Sequence, residues 1–501
     1  MIFDLIKSLN IAEKRYFKIF TTQHVLREKN DYITLFDIIN ESKSRGEYEE
    51  RLKYIDLNIR KNISKNKNFL VAKILQALAV FNANANPQIK LWQLLAMSRI
   101  LLNKRQNKLV IQYLKKTKKL AHFMEDYGVL YTVNQFEKER VIDVDSNIMK
   151  KLEHNDLDIL SAMSKKSMLY LINAKISTII AKNQRLVRSR NDINRLKNII
   201  SEIEKVTISD EDSFSIKGYY LNIWANYYCG LGKLDKENVY RNKLIKLHEQ
   251  HPKINQIKII SYISTLSNLA MNQLDLNQYL TCEASIKKLK NIPQLYVLNN
   301  EGIKILELQI LVLESSWIIA TGNISFADTV LLQIKAKLNS NINSFYKIAL
   351  SFDMAVIYFI KEDFNTSLDF LNDVLNDEKL NESLEVQYLA RILNIILHFE
   401  LGNMQLLDSL IKSTYRYLLK RQKLYQFEKH IIRFIKNSLK VEPGENYVIL
   451  FKALKKDLEL VTQDLFESRV LHHFDLIAWL ESKIRNIPMA VVLQNNAIQN
   501  N

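Results

Sequence analysis

An all-α protein is predicted from three observations. The 501 residues include only nine glycines and five prolines, where ordinary chains carry about 7% and 5%. Sheet-based folds need glycine at tight turns, bulges and phosphate loops, so its scarcity favours helices joined by short polar connections. Finally, apolar helix, polar turn and amphipathic helix follow one another along most of the chain, with turns at nearly constant intervals. With 47% hydrophobic residues, the chain exceeds the roughly 250 to 300 residues at which single cores stop growing, so several domains or a repeat array are expected.

At the start, Asn10 reads as an N-cap and Glu13 as its capping-box partner, opening a helix through Tyr16, Phe17 and Phe20. A second helix is predicted over residues 31–43, with Tyr32, Leu35, Phe36 and Ile39 at helical spacing, and a third from near Tyr48. These form an expected N-terminal helical module, 1–82. The run Asn82-Ala83-Asn84-Ala85-Asn86-Pro87 then combines poor helix formers with a proline and sets the first boundary. From 87 to 440 helix pairs repeat, their turns marked at Gly232, Asp275, Gly322, Asp363 and Gly402, which are 43, 47, 41 and 39 residues apart. A period near 40 residues built from two helices predicts an α-solenoid of antiparallel pairs. Residues 441–446, with Pro443 and Gly444, read as a linker; the helices of 445–488 are expected to cap the open end of the solenoid, and the polar tail 489–501 to be disordered.

The stretch from Ala355 to Leu371 resembles a tetratricopeptide repeat. Ala355 stands where that motif has a small residue, Tyr358 at its aromatic position, Phe364 just after the turn, and Ser367 and Leu371 at the small and large positions of the second helix. Ala225 and Tyr228 before Gly232, and Ala327 after Gly322, follow the same scheme; Ser315 and Ile395 depart from it. Segments 9–18, 399–403 and 474–483 are similar to segments of uncharacterised bacterial tetratricopeptide-like proteins of about this length. The resemblance implies an architecture and no activity.

Two cysteines, Cys229 and Cys282, are too few for a disulfide framework. With no signal-peptide pattern and no apolar run of membrane-spanning length, a cytoplasmic protein is expected. Glycine-rich phosphate loops, His-Glu-x-x-His and paired Cys-x-x-Cys motifs are absent from the sequence, so neither a cofactor nor an enzymatic activity is expected. His248 and His251 precede Pro252 at a helix C-terminus, where histidine is favoured without a metal. Arg391 and His398 loosely resemble the Arg-x-His pair of helical-bundle ribonucleases of the HEPN type, in the most acidic neighbourhood of the chain; this is the minor alternative.

The net charge of +17 is unevenly placed: residues 51–124 hold sixteen Lys and Arg against Asp56, 412–440 nine against Glu428, and 351–400 three against ten acids. Cation rows at helical spacing include Lys104, Lys108, Lys115 and Lys119, the cluster with Arg185 and Arg188, then Lys412, Arg416 and Lys420, and finally Arg433. Such rows suit phosphates or acidic proteins, so sequence-independent nucleic-acid binding is the main alternative function, and self-association of basic and acidic segments another. The leading expectation is a non-enzymatic scaffold or adaptor holding a protein or peptide on a concave face that presents Tyr219, Asn222, Asn226, Arg391 and Asn394.

Overall fold

The computed structural model describes residues 2–22, 31–55, 57–83, 86–141, 146–183, 185, 187–204, 206–340, 342–376, 385–440 and 447–499, the side chains of 22, 57, 58, 385 and 465 excepted. Among the described residues there are 27 α-helices, a few short 3-10 turns and no strand. None of these helices is long and apolar enough to cross a membrane. The linker expected at 441–446, and Asn84 and Ala85 of the first boundary, lie outside the described residues. The chain divides into two compact units, 1–163 and 164–501.

In the first unit, the capping box at Asn10 forms as expected: Glu13 N donates to Asn10 Oδ1 and Asn10 N to Glu13 Oε2, both at 2.9 Å. It opens helix Ile11–Thr22, and Asp31–Glu41 follows. Phe17, Leu35, Phe36, Ile39, Leu70 and Ile74 form one apolar core; Leu91, Val110, Leu114, Leu130 and Val133 form a second. The expected boundary near residues 82–87 falls between these two cores, whereas the compact unit extends to Met163, inside helix Asn147–Lys182. Pro87 occupies the first turn of its helix and Asn86 caps it, accepting from Gln88 N at 2.9 Å.

The second unit is a succession of helix pairs. Phe214–Leu231 packs on Leu234–Glu249, Ile259–Asp275 on Tyr279–Leu295, Asn300–Thr321 on Ala327–Leu338, Ser344–Ile360 on Phe364–Asn376 and Glu385–Glu400 on Met404–Lys420. From Ile259–Asp275 onward, the first helix of each pair also packs on the first helix of the next. In each pair the chain leaves its first helix through one residue at positive φ: Gly232 (72°), Asn277 (59°), Gly322 (64°), Glu362 (62°) and Gly402 (70°). These positions are 45, 45, 40 and 40 residues apart, so two of the markers read from the sequence move, from Asp275 to Asn277 and from Asp363 to Glu362. The next N–H commonly reaches back to the carbonyl five residues earlier, as from Lys233 to Tyr228 (3.0 Å), Gln278 to Gln273 (2.8 Å) and Asn403 to His398 (2.9 Å). That bond satisfies a terminal carbonyl and lets the second helix begin at once. Where the small positions meet, the Ser367 hydroxyl donates to the Ala355 carbonyl at 2.6 Å, so the two helices approach closely.

The C-terminal segment departs from expectation twice. It does not merely cap the last pair, and residues 489–499 are not disordered: helix Met489–Gln499 forms and buries Met489, Ala490, Val492, Leu493 and Ala497. From Arg469 onward the segment reaches the turns of several pairs. Arg469 donates to the carbonyls of Val187 (2.9 Å) and Cys229 (3.1 Å), and Gln494 to that of Gly322 (2.9 Å). Phe474 packs edge-on to Phe359 at 5.0 Å. Trp479 Nε1 and Lys483 Nζ both donate to Glu400, each at 2.6 Å. Small residues at the turns leave room for it. A Cβ on Gly322 would stand 2.5 Å from the Ala490 carbonyl oxygen, and one on Gly232 would stand 2.5 Å from Arg469 Nη2.

Candidate ligand cavity

The inward faces of the first helices do not close on one another. With the C-terminal segment as a floor they enclose a cavity of about 810 Å³, within the range of about 300 to 1,000 Å³ usual for ligand sites. Successive helices contribute Asn222 and Asn226, then Ser264, Ser267 and Asn268, then Gln309 and Ser316, then Tyr346, Phe352 and Asp353. Spacings of three, four and seven recur within these sets, as in Asn222/Asn226, Ser264/Ser267, Gln309/Ser316 and Tyr346/Asp353, and place those members on one helix face. Arg469, His472, His473 and Asp475 line it from the C-terminal segment.

One end is a buried ion cluster. Arg185 pairs with Glu237 (3.3 Å) and Asp275 (2.7 Å), and Arg241 with Glu237 (3.1 Å). Arg241 and Glu237 are both fully buried, and such charges persist inside protein only when paired and hydrogen-bonded. Arg241 also donates to Asn222 Oδ1 (2.8 Å) and Asn226 Oδ1 (2.6 Å), while the amide nitrogens of these asparagines donate to Asn173 Oδ1 (2.8 Å) and Ser177 Oγ (3.0 Å). The two asparagines thus hold three elements together at the cavity wall. Burial pushes the Cys229 thiol up to about 12, so it faces the cavity as a neutral group. Enclosure on the floor, with His472 beside it, holds the His473 imidazole down to about 4, neutral as well.

Beyond the cluster the lining carries two carboxyl groups, Asp353 and, on the floor, Asp475, whose Oδ1 accepts from Ala478 N at 2.9 Å as the cap of helix Leu476–Arg485. Ser267 Oγ donates to Gln309 Oε1 at 2.5 Å. Asp353 is 8% exposed; its Oδ2 accepts from Ser315 Oγ at 2.5 Å, and no Lys, Arg or His among the described residues pairs with it. Burial pushes its carboxyl up to about 7.

Of the five residues expected on a concave face, Asn222 and Asn226 line the cavity. Tyr219 packs edge-on to Tyr170 at 5.7 Å. Arg391 covers the Tyr417 ring at 3.7 Å, and Asn394 keeps a buried Oδ1 without a hydrogen-bond partner elsewhere in the same helix. Arg391 and His398 engage different partners, the latter Asn403 Nδ2 at 3.0 Å. His248 bonds Asn255 Oδ1 at 2.7 Å and His251 the Leu247 carbonyl at 2.8 Å, both local to the helix end. No group of three or more His, Cys, Asp or Glu among the described residues is arranged to hold a metal ion.

The basic rows separate into paired and free cations. Arg185 and Arg188, expected on a phosphate-facing row, are interior ion-pair residues instead. Arg188 donates to Glu428 (2.5 Å) and Glu467 (2.8 Å) and lies over the Tyr425 ring at 4.2 Å. Arg433 pairs with Asp457 at 2.6 Å and Lys412 with Asp408 at 2.5 Å, while Arg416 Nε donates to the Lys412 carbonyl at 3.2 Å and Lys420 is exposed. In the first unit Lys104 is exposed at the end of helix Pro87–Asn103, and Lys108, Lys115 and Lys119 are exposed on helix Asn107–Met124, whose buried face is Val110, Leu114, Thr117 and Ala121. Lys115 and Lys119 line a surface groove of about 410 Å³ with Lys118, His122, Glu137 and Arg140. Lys118 pairs with Glu137 at 3.0 Å, and Arg140 Nε is buried without a hydrogen-bond partner.

Sequence reasoning missed Asp353, the serines, the amides Asn268 and Gln309 and the whole floor. Asp353 left one signal, an acid between Phe352 and Met354 in the apolar run from Ile348 to Ile360. Compared with models of known protein families, with curated proteins and with solved structures, the chain matches none.

Proposed function

We propose that the protein is a non-enzymatic adaptor of tetratricopeptide-like solenoid type whose second unit takes a short peptide segment of a partner into the cavity. The observation that carries this reading is the lining. Four consecutive first helices present amides and hydroxyls, including Asn268, Gln309 and Ser316, between apolar walls. A side-chain amide offers a donor and an acceptor side by side, which matches the alternating N–H and C=O groups of an extended peptide backbone. Turns every 40 to 45 residues support the repeat architecture, and stacked pairs of this kind bind along their inner faces.

The test is to fill the space. Ser316→Trp enlarges a small lining residue that takes no part in the ion-cluster or floor hydrogen bonds described above. Affinity selection of a random heptapeptide pool on the full chain, read by mass spectrometry, should recover peptides with the unsubstituted protein and at least tenfold fewer with the variant. Equal recovery from both places peptide binding outside the cavity and overturns the reading.

A second reading, phosphate or nucleic-acid binding by the first unit, rests on the groove between Lys115, Lys119 and Arg140. Its cations outnumber its single acid, and Arg140 keeps a buried Nε without a partner.

A further inference from the structure

The polar groups of the cavity are not interchangeable: outside the ion cluster it has two carboxyl groups, of which Asp475 is engaged as the cap of helix Leu476–Arg485 and Asp353 caps nothing. Arg185, Arg241, Glu237 and Asp275 neutralise one another at one end. Asp353 at the other end has only the Ser315 hydroxyl. A carboxylate held nine-tenths out of water with a single neutral donor is left short of compensation. Phe345, Tyr346 and Phe352 of the same helix, Ser344–Ile360, also line the cavity. Ring faces attract cations and add to a carboxylate's pull.

We propose that the cavity selects ligands bearing a protonated amine, which sits on Asp353, while Phe345 and Tyr346 offer ring faces elsewhere along the same lining. This inference rests on the peptide reading for its natural ligand and narrows it: the captured segment brings either its free amino terminus or a lysine side chain to Asp353. The acid's raised proton affinity fits the same picture, because an empty site favours the neutral carboxyl and a seated ammonium favours the carboxylate. An arginine gains less there, since a guanidinium is held most strongly by both oxygens of a carboxylate, and one Asp353 oxygen is already engaged by Ser315.

The experiment uses the full chain, the Asp353→Asn variant and three synthetic heptapeptide pools: lysine-free with a free amino terminus, amino-acetylated with one lysine, and amino-acetylated without lysine. Peptide retained is counted by mass spectrometry, and n-butylammonium chloride serves as a peptide-free probe read by thermal shift. At least tenfold enrichment of the first pool over the third, lost in Asp353→Asn, assigns the amino terminus; the same result for the second pool assigns lysine. Retention of all three pools alike overturns the amine inference and leaves the peptide reading standing. Retention of none, with a butylammonium shift that Asp353→Asn abolishes, sustains the amine site and overturns the peptide reading. Neither peptide nor butylammonium binding overturns both. Should Asp353→Asn fail to fold, the comparison of free and acetylated pools on the unsubstituted chain decides alone.

Discussion

Asp353 illustrates how one side chain links the cavity to stability. It lies between Phe352 and Met354, both essentially inaccessible to water, and only Ser315 bonds it among the described residues. Its carboxyl rises from an ordinary 3.8 to about 7, so the folded protein holds this proton more tightly than the unfolded chain does. Between about pH 4 and pH 7 the native state therefore binds more protons, and stability falls as pH rises through that window. At 1.36 kcal/mol per pH unit the loss is at most about 4 kcal/mol. Asp353→Asn removes the titration while keeping an acceptor for Ser315. Urea titrations near pH 5 and pH 8 should show the variant gaining on the unsubstituted protein at the higher pH, by up to about 3 kcal/mol, the part of the loss that falls above pH 5. An unchanged difference between the two pH values would mean that the carboxylate is not desolvated, and the premise of the amine site would go with it.

At the scale of elements, the turns carry two duties, ending a helix and admitting the C-terminal segment, and glycines separate them. Gly402 and Gly322 share a left-handed backbone, φ 70° and 64°. A Cβ on Gly402 meets nothing within 4 Å, whereas one on Gly322 collides with the Ala490 backbone and with Leu493. Gly402→Ala should cost only the conformational penalty, about 1 to 2 kcal/mol. Gly322→Ala should cost on the order of 3 to 5 kcal/mol, because packing of helix Met489–Gln499 is lost as well, and amide exchange in that helix should accelerate only in this variant. Equal costs would show that the helix draws no stability from the Gly322 turn. The same turns explain what was legible beforehand. Gly232, Gly322 and Gly402 announce themselves because glycine is the residue that a left-handed cap selects. Asn277 and Glu362 adopt the conformation without glycine, so in the sequence the nearby acids Asp275 and Asp363 read as the markers. The floor was hidden by composition: Gln494, Asn495 and Asn496 look like a polar tail, yet Met489, Ala490, Val492, Leu493 and Ala497 make a buried stripe through it. Arg188 and Glu428 stand 240 residues apart, and no local pattern in either neighbourhood joins them.

For the whole molecule, the question raised by a net charge of +17 is how much of it is available to a polyanion. Arg185, Arg188, Arg241 and Arg433 already have carboxylate partners, so they neutralise acids within the second unit. Each contributes to net charge on paper and little to the field outside. The groove of the first unit differs, with Lys115, Lys119 and Arg140 beside a single Lys118–Glu137 pair. Three or four cations released to phosphates give a log–log salt slope of about 3 to 4 on duplex DNA, at roughly 0.9 per contact. That is shallow beside proteins that track DNA with many contacts, and it confines association to low salt. Fluorescence anisotropy of a labelled duplex across a salt series should show this slope, and Lys115→Glu combined with Lys119→Glu should abolish binding. Lys412→Glu combined with Arg416→Glu should leave it unchanged, because Lys412 is already paired with Asp408 and Arg416 leans on the Lys412 carbonyl. A steeper slope, or loss of binding in the second double variant, would extend the phosphate-facing surface to the second unit and give nucleic acid precedence over peptide capture. Absence of binding even at low salt would reduce the groove to a solvated surface and leave the cavity as the binding site of the molecule.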